Sequence, residues 1–132
     1  MNVPGHYQSD ILFFFDGRPK ELALYRLLEA QIDAVCPEVS VKVQKRQISF
    51  YGKHLFAMTS LPKRKRDSGL VVTFGLGRQE CSPRVDMAVE PYPGRWTHHM
   101  TVTAAKELDI ELLNWLREAW SFSQVKGRRG AP

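Results

Sequence analysis

Apolar residues recur along this chain with two different periods, and the switches between them mark out its elements. From Leu22 the spacing is helical. Leu22, Tyr25, Leu28, Ile32 and Val35 form one stripe, Leu24, Leu27 and Gln31 lie beside it, and Glu21, Arg26, Glu29 and Asp33 take the other side. Asp16-Gly17-Arg18-Pro19 predicts the start of this helix, with Asp16 as the capping acid and the proline in the first turn. Pro37 ends it, because the residue before a proline is pushed out of helical geometry. The preceding run Ile11 to Phe15 is continuously apolar, which fits either a strand or an entry segment buried under a helix.

After Pro37 the period changes to two. Val39, Val41 and Val43 alternate with polar residues, as do Ile48 and Phe50, and Gly52-Lys53 predicts a two-residue hairpin turn into a strand over 54–59. Leu70, Val72, Phe74 and Leu76 alternate in the same way, followed by Val85, Met87 and Val89, then Met100 and Val102. The final element reads as a helix with Thr103 as N-cap, Glu107 in its first turn and a stripe of Leu108, Leu112, Trp115, Leu116 and Ala119. Trp120 and Phe122 extend that apolar content, and Lys126-Gly127 stops it. The expected fold is α+β: an antiparallel sheet of about five strands, with N- and C-terminal helices packed on one face. Residues 1–10 read as a loosely ordered lead, 11–126 as a single domain and 127–132 as a disordered tail.

Composition narrows the class. A chain of 132 residues with 43% hydrophobic and 25% charged residues fits one globular domain. Two cysteines, Cys36 and Cys81, supply neither a disulfide framework nor a four-ligand zinc site. No apolar run approaches the length of a membrane span, and Ile11 to Phe15 lacks the basic lead of a signal peptide. A cytoplasmic protein without a membrane partner is therefore expected.

Charge changes the picture more. The net charge is +5, but Lys42, Lys45, Arg46, Lys53, Lys63, Arg64, Lys65 and Arg66 lie in one stretch that contains no Asp or Glu. That stretch carries +8 and the remainder −3. These eight residues are the anion-binding candidates, since clustered positive charge attracts phosphates. Lys63 to Arg66 sit between Leu61-Pro62 and Asp67-Ser68-Gly69, so they read as a basic flap on a loop between strands, which is also what an ordinary solvated loop looks like.

The second candidate is Gly94-Arg95-Trp96-Thr97-His98-His99. On a strand, His98 shares a face with Met100 and Val102, while His99 points the other way, so the two histidines are not a joint metal site. Arg95, Trp96, His98 and His99, with Arg84 nearby, are ligand-binding candidates, and Trp96 and His98 also suit plain packing at the core edge. No metal ligands, cofactor motif or catalytic set is recognised: the Gly75-Leu76-Gly77 stretch lacks the third glycine and the helix of a phosphate fingerprint, and Cys81 lacks a stabilising neighbour for its thiolate.

Phe15-Asp16-Gly17-Arg18-Pro19 with Leu24-Tyr25, Ser82-Pro83-Arg84-Val85, Gly94 to His99, and Glu107-Leu108-Asp109 to Leu116-Arg117-Glu118-Ala119 together resemble an uncharacterised bacterial domain family of unknown function, distantly similar to YdhG-like and frataxin-like small α+β domains. The resemblance implies terminal helices on an antiparallel sheet and no particular activity. The residues themselves point first to a non-enzymatic binding module for an anionic partner, nucleic acid or a phosphorylated ligand. The alternative is a small enzyme or metabolite-sensing domain with a pocket around Arg95, Trp96 and His98.

Overall fold

A computed structural model describes residues 1–125; Lys126, Gly127 and the expected tail over 127–132 lie outside the described residues. Two helices come first, α1 (Tyr7–Phe14) and α2 (Pro19–Val35). Six strands follow: β1 (Ser40–Val43), β2 (Ile48–Tyr51), β3 (Leu55–Ser60), β4 (Leu70–Leu76), β5 (Met87–Tyr92) and β6 (Arg95–Val102). A single 3-10 turn over Ala105–Glu107 leads into α3 (Ile110–Val125).

The sheet order is β1-β2-β3-β4-β6-β5, and every neighbouring pair is antiparallel. Direction alternates through β1 to β4, so the β1–β2 turn and the β3–β4 loop emerge at one end of the sheet and the β2–β3 turn at the other. Because β4 and β5 are both antiparallel to β6, they run the same way. The chain between them, residues 77–86, must therefore return along the length of β6 before β5 begins. β5 and β6 then close through Pro93-Gly94, where Gly94 adopts φ +82°, the left-handed position that a turn of this kind requires.

All three helices meet the core. Tyr25 of α2 stacks near Phe50, with ring centroids 6.3 Å apart, and Trp115 of α3 stacks on Phe74 at 5.7 Å. Val41 and Ala57, in register with Phe50, and Val72 and Met100, two positions along from Phe74 and its partner His98, lie on the same covered face and are buried. A bulge in β3 breaks the alternation. Phe50 pairs with Ala57 and Tyr51 with Leu55, leaving Phe56 without a partner, and consecutive Phe56 and Ala57 are both buried. The edge of β1 is covered by the lead, where Asn2 forms a parallel bridge to Ser40.

The α+β fold is as expected, with six strands where about five were expected; the edge strand β5 pairs with β6 at Met87 to Val89 and again at Tyr92, with a break in register between. The lead bridges to the edge of β1 through Asn2 and enters α1 at Tyr7. Several expectations are corrected. The Ile11 to Phe15 run is the end of that helix and not a strand, with Tyr7, Ile11 and Phe15 inward at four-residue spacing and Leu12 and Phe13 outward. The β2–β3 turn has three residues, 52–54, and Gly52 has no positive φ. Its lack of a side chain makes room for α3, since a Cβ there would lie 2.9 Å from the Trp120 indole nitrogen. α3 starts at Ile110, after a separate turn, so Thr103 does not cap it. Asp109 does, its Oδ1 accepting the Leu112 N–H at 3.1 Å. At α2 no side chain caps the N-terminus, so Asp16 does not act as expected.

Glu21, placed by periodicity on the solvent side, is 4% exposed and accepts the Gly69 N–H at 2.7 Å. Gly69 has φ +113°, so this bond fixes the end of the β3–β4 loop. Replacing Glu21 with alanine strands a buried N–H, and chemical denaturation should show a loss of about 1–3 kcal/mol. Asp16→Ala should change stability by less than about 0.5 kcal/mol. Equal losses for the two variants would contradict this assignment of roles.

Candidate functional site

The eight basic candidates separate by position in the fold. Lys45 and Arg46 are in the β1–β2 turn and Lys63, Arg64, Lys65 and Arg66 in the β3–β4 loop, so direction alternation brings six of them to one end of the sheet. Lys53 is in the β2–β3 turn at the opposite end, and Lys42 lies within β1, opposite Ser49. Among the described residues none of the eight side chains is in an ion pair, whereas Arg26, Arg78 and Arg84 each hold a carboxylate. The basic loop is tied to the helix pair at two points. The Arg18 guanidinium donates to the Lys65 carbonyl at 2.8 Å, and Glu21 holds the loop at Gly69.

Three adjoining hollows run across this end. The first, about 820 Å³, is lined by Asp10, Phe13, Phe14, Val43, Gln44, Lys45 and Lys65. The second, about 570 Å³, shares Phe14, Lys45 and Lys65 and adds Arg46, Pro62 and Lys63. The third, about 380 Å³, continues past Leu61, Pro62 and Lys65 to Asp16, Gly17 and Arg18. Together they form a track with a basic middle and one carboxylate at each end.

α1 supplies the aromatic wall, and buried contacts set its pose. The Tyr7 hydroxyl meets that of Tyr25 at 2.6 Å and donates to Glu29. Burial is the main cause that pushes both phenols well above their ordinary value, so they stay protonated. Phe15 packs on Tyr25 at 5.3 Å and Phe14 edge-on against Phe15 at 4.9 Å. With Tyr7, Ile11 and Phe15 held inward, Phe13 is left 84% exposed on the rim of the first hollow. Sequence reasoning did not pick out Phe13, Phe14 and Arg18. The signal was the Phe13-Phe14-Phe15 run, which only a helical reading from Tyr7 divides into inward and outward rings.

The Arg84 and Arg95 to His99 candidates are not gathered into one pocket. Trp96 and His98 lie on the covered face, in register with Leu76 and Phe74. Arg95 and His99 lie on the other face. The Arg95 guanidinium rests over Gly75, where a Cβ would come within 2.4 Å of its central carbon, and His99 Nδ1 is 3.0 Å from the Thr73 hydroxyl. Arg95 is 8% exposed and has no carboxylate partner among the described residues.

Arg84 works within the fold. It reaches from the returning segment 77–86 to Asp109 at 2.9 Å, Glu111 at 2.8 Å and the Glu107 carbonyl at 2.7 Å, and lies over the Trp115 ring. His98 stacks on Phe74 at 5.1 Å, and its Nε2 accepts the Glu80 N–H at 2.9 Å from the same segment. That bond leaves the ring proton on Nδ1, which is buried without a partner. Desolvation is the largest cause holding the His98 pKa below the ordinary histidine value. The Arg78 hydrogen bond is the largest cause lowering that of Glu80, and the Thr103 N–H does the same for Glu107. Desolvation is the largest influence on Asp109 and raises it, but Arg84 and the Leu112 N–H outweigh this, so Asp109 also titrates low. No three metal-ligating side chains converge among the described residues, and none of their helices is long and apolar enough to cross a membrane.

A family model described as "Domain of unknown function (DUF5655)" matches residues 13–123, and the chain belongs to that family. No curated protein and no solved structure matches it.

The pH response follows from these shifts. His98 is depressed as a base, so below about pH 6.5 the unfolded chain takes up a proton that the folded chain refuses, and stability falls as pH drops. The depressed carboxylates of Glu80, Glu107 and Asp109 contribute stability above their unfolded values and lose it as pH falls through their folded ones. Urea unfolding from about pH 7 down to about pH 5 should show a declining midpoint in the wild type and a flatter one in His98→Gln, with the decline at lower pH kept in both. An unchanged slope in His98→Gln would contradict a neutral, desolvated His98.

Proposed function

We propose that this DUF5655 chain is a non-enzymatic binding module for nucleic acid, engaged through the end of the sheet that carries the β1–β2 turn and the β3–β4 loop. The observation that carries this reading is that Lys45, Arg46, Lys63 and Lys65, from two separate turns, line adjoining hollows, Lys45 and Lys65 being shared by both, with no ion pair at any of the four among the described residues. Unpaired charges on a concave surface focus a positive field and release counterions when a polyanion docks. A single phosphorylated metabolite uses one such point, whereas a track of adjoining hollows matches a chain of phosphates. Arg84 and His98 give little support to the enzyme reading, since Arg84 is spent on Glu107, Asp109 and Glu111 and His98 Nε2 on segment 77–86. Two free cysteines, one of them exposed, suit a reducing compartment, so we place this activity in the cytoplasm.

Fluorescence anisotropy with a labelled oligonucleotide, titrated across salt, tests the reading. Affinity should fall log-linearly with salt. Lys45→Glu with Lys65→Glu should weaken binding by about tenfold or more and make the slope shallower by about two. Lys53→Glu, at the opposite end, should have a far smaller effect. Absence of binding at low salt, or equal losses for the two ends, would overturn it.

A further inference from the structure

We infer that the track takes a single-stranded segment, with a base stacked on Phe13 and its flanking phosphates on Lys45 and Lys65; this rests on the nucleic-acid reading above. Phe13 is 84% exposed, on a helix whose other aromatic residues are held in the core or against it, and it stands on the rim of the hollow that Lys45 and Lys65 also line. An aromatic face beside two unpaired ammonium groups is the combination that single-strand binders use, with stacking for bases and charge for the backbone. A duplex keeps its bases stacked on one another and has no free face to offer Phe13. The size of the hollow points the same way: about 820 Å³ lies in the range of small-ligand sites, which suits an extruded nucleotide and is far too small for a double helix.

The acidic residues fix the orientation. Asp10 lines the Phe13 hollow and Asp16 the far one, and both repel phosphate. At the Phe13 end the Asp10 carboxylate and the Gln44 side chain suit the amino and amide edge of a base. The phosphates then pass over the middle of the track, where Lys45, Arg46, Lys63 and Lys65 lie. An anionic membrane surface is the other partner that basic and exposed apolar residues can serve, but Phe13 lines a concavity and carboxylates stand at both ends of the track, which a flat negative sheet would have to meet.

The test is anisotropy with a labelled single-stranded oligonucleotide, a duplex of the same sequence, and vesicles containing phosphatidylserine, for the wild type, Phe13→Ala and Phe13→Leu. Phe13 is exposed, so both variants should fold, and circular dichroism checks this. The expected result is preference for the single strand and a loss of about fivefold to a hundredfold in both variants, because leucine keeps the apolar bulk and not the π-face. Equal affinity for duplex and single strand, or full affinity in Phe13→Leu, would overturn the stacking role while leaving the nucleic-acid reading intact. Binding to vesicles and not to either oligonucleotide would overturn both.

Discussion

The reversal of chain direction at each turn from β1 to β4 decides where this protein keeps its positive charge. Antiparallel pairing sends the first and third connections to one end of the sheet and the second to the other. Lys45 and Arg46 precede Lys63 to Arg66 by almost twenty positions, yet they share one end with nothing but β2 and β3 between them. Lys53, which lies between them in sequence, is the length of a strand away. The helix pair completes the same end. The α1–α2 turn brings Phe14 and Arg18 to the basic loop and leaves Phe13 exposed beside it, and Glu21 and Arg18 tie that loop down at Gly69 and Lys65.

A second constraint shapes the other half of the molecule. β5 runs parallel to β4 with β6 between them, so segment 77–86 has to travel back over the covered face. Its backbone and side chains need partners there, and Arg84, Glu80 and Arg78 supply them by gripping α3 and His98. The stack of His98 on Phe74 on Trp115, with Arg84 above the indole, is therefore a device for holding a long return segment and one helix to the sheet. A protonated His98 would lose its acceptor for the Glu80 N–H, so the neutral ring and the path of the segment depend on each other.

Much of this was legible in the order of residues. Period-two alternation at Val41, Val43, Ile48 and Phe50 and the helical stripe from Leu22 to Val35 reported their elements, because burial on one face leaves a period in the sequence. What was not legible depended on tertiary partners. Glu21 sits at a polar position of the helical pattern, but Gly69 comes to meet it. Phe56 breaks the alternation because a bulge is set by pairing with β2. Tyr7 to Phe14 does not show as a helix because its inward residues are only Tyr7, Ile11 and the capping Phe15, and the last two are hidden in the unbroken apolar run 11–15. Arg95, Trp96, His98 and His99 read as one stretch of chemistry with Arg84 nearby, and strand alternation distributes the four over two faces while Arg84 is held in the return segment. The basic stretch was visible as charge, but its division between two ends of the sheet was not.

Binding at one end of the sheet is directly observable by amide chemical-shift mapping. Titrating an unlabelled single-stranded oligonucleotide into the isotope-labelled chain should move the amides of Phe13, Phe14, Lys45, Arg46, Lys63 and Lys65, and leave those around Lys53 and Arg95 in place. Shifts concentrated at Lys53 or along Arg95 to His99, with the α1 and β3–β4 loop amides unmoved, would contradict it.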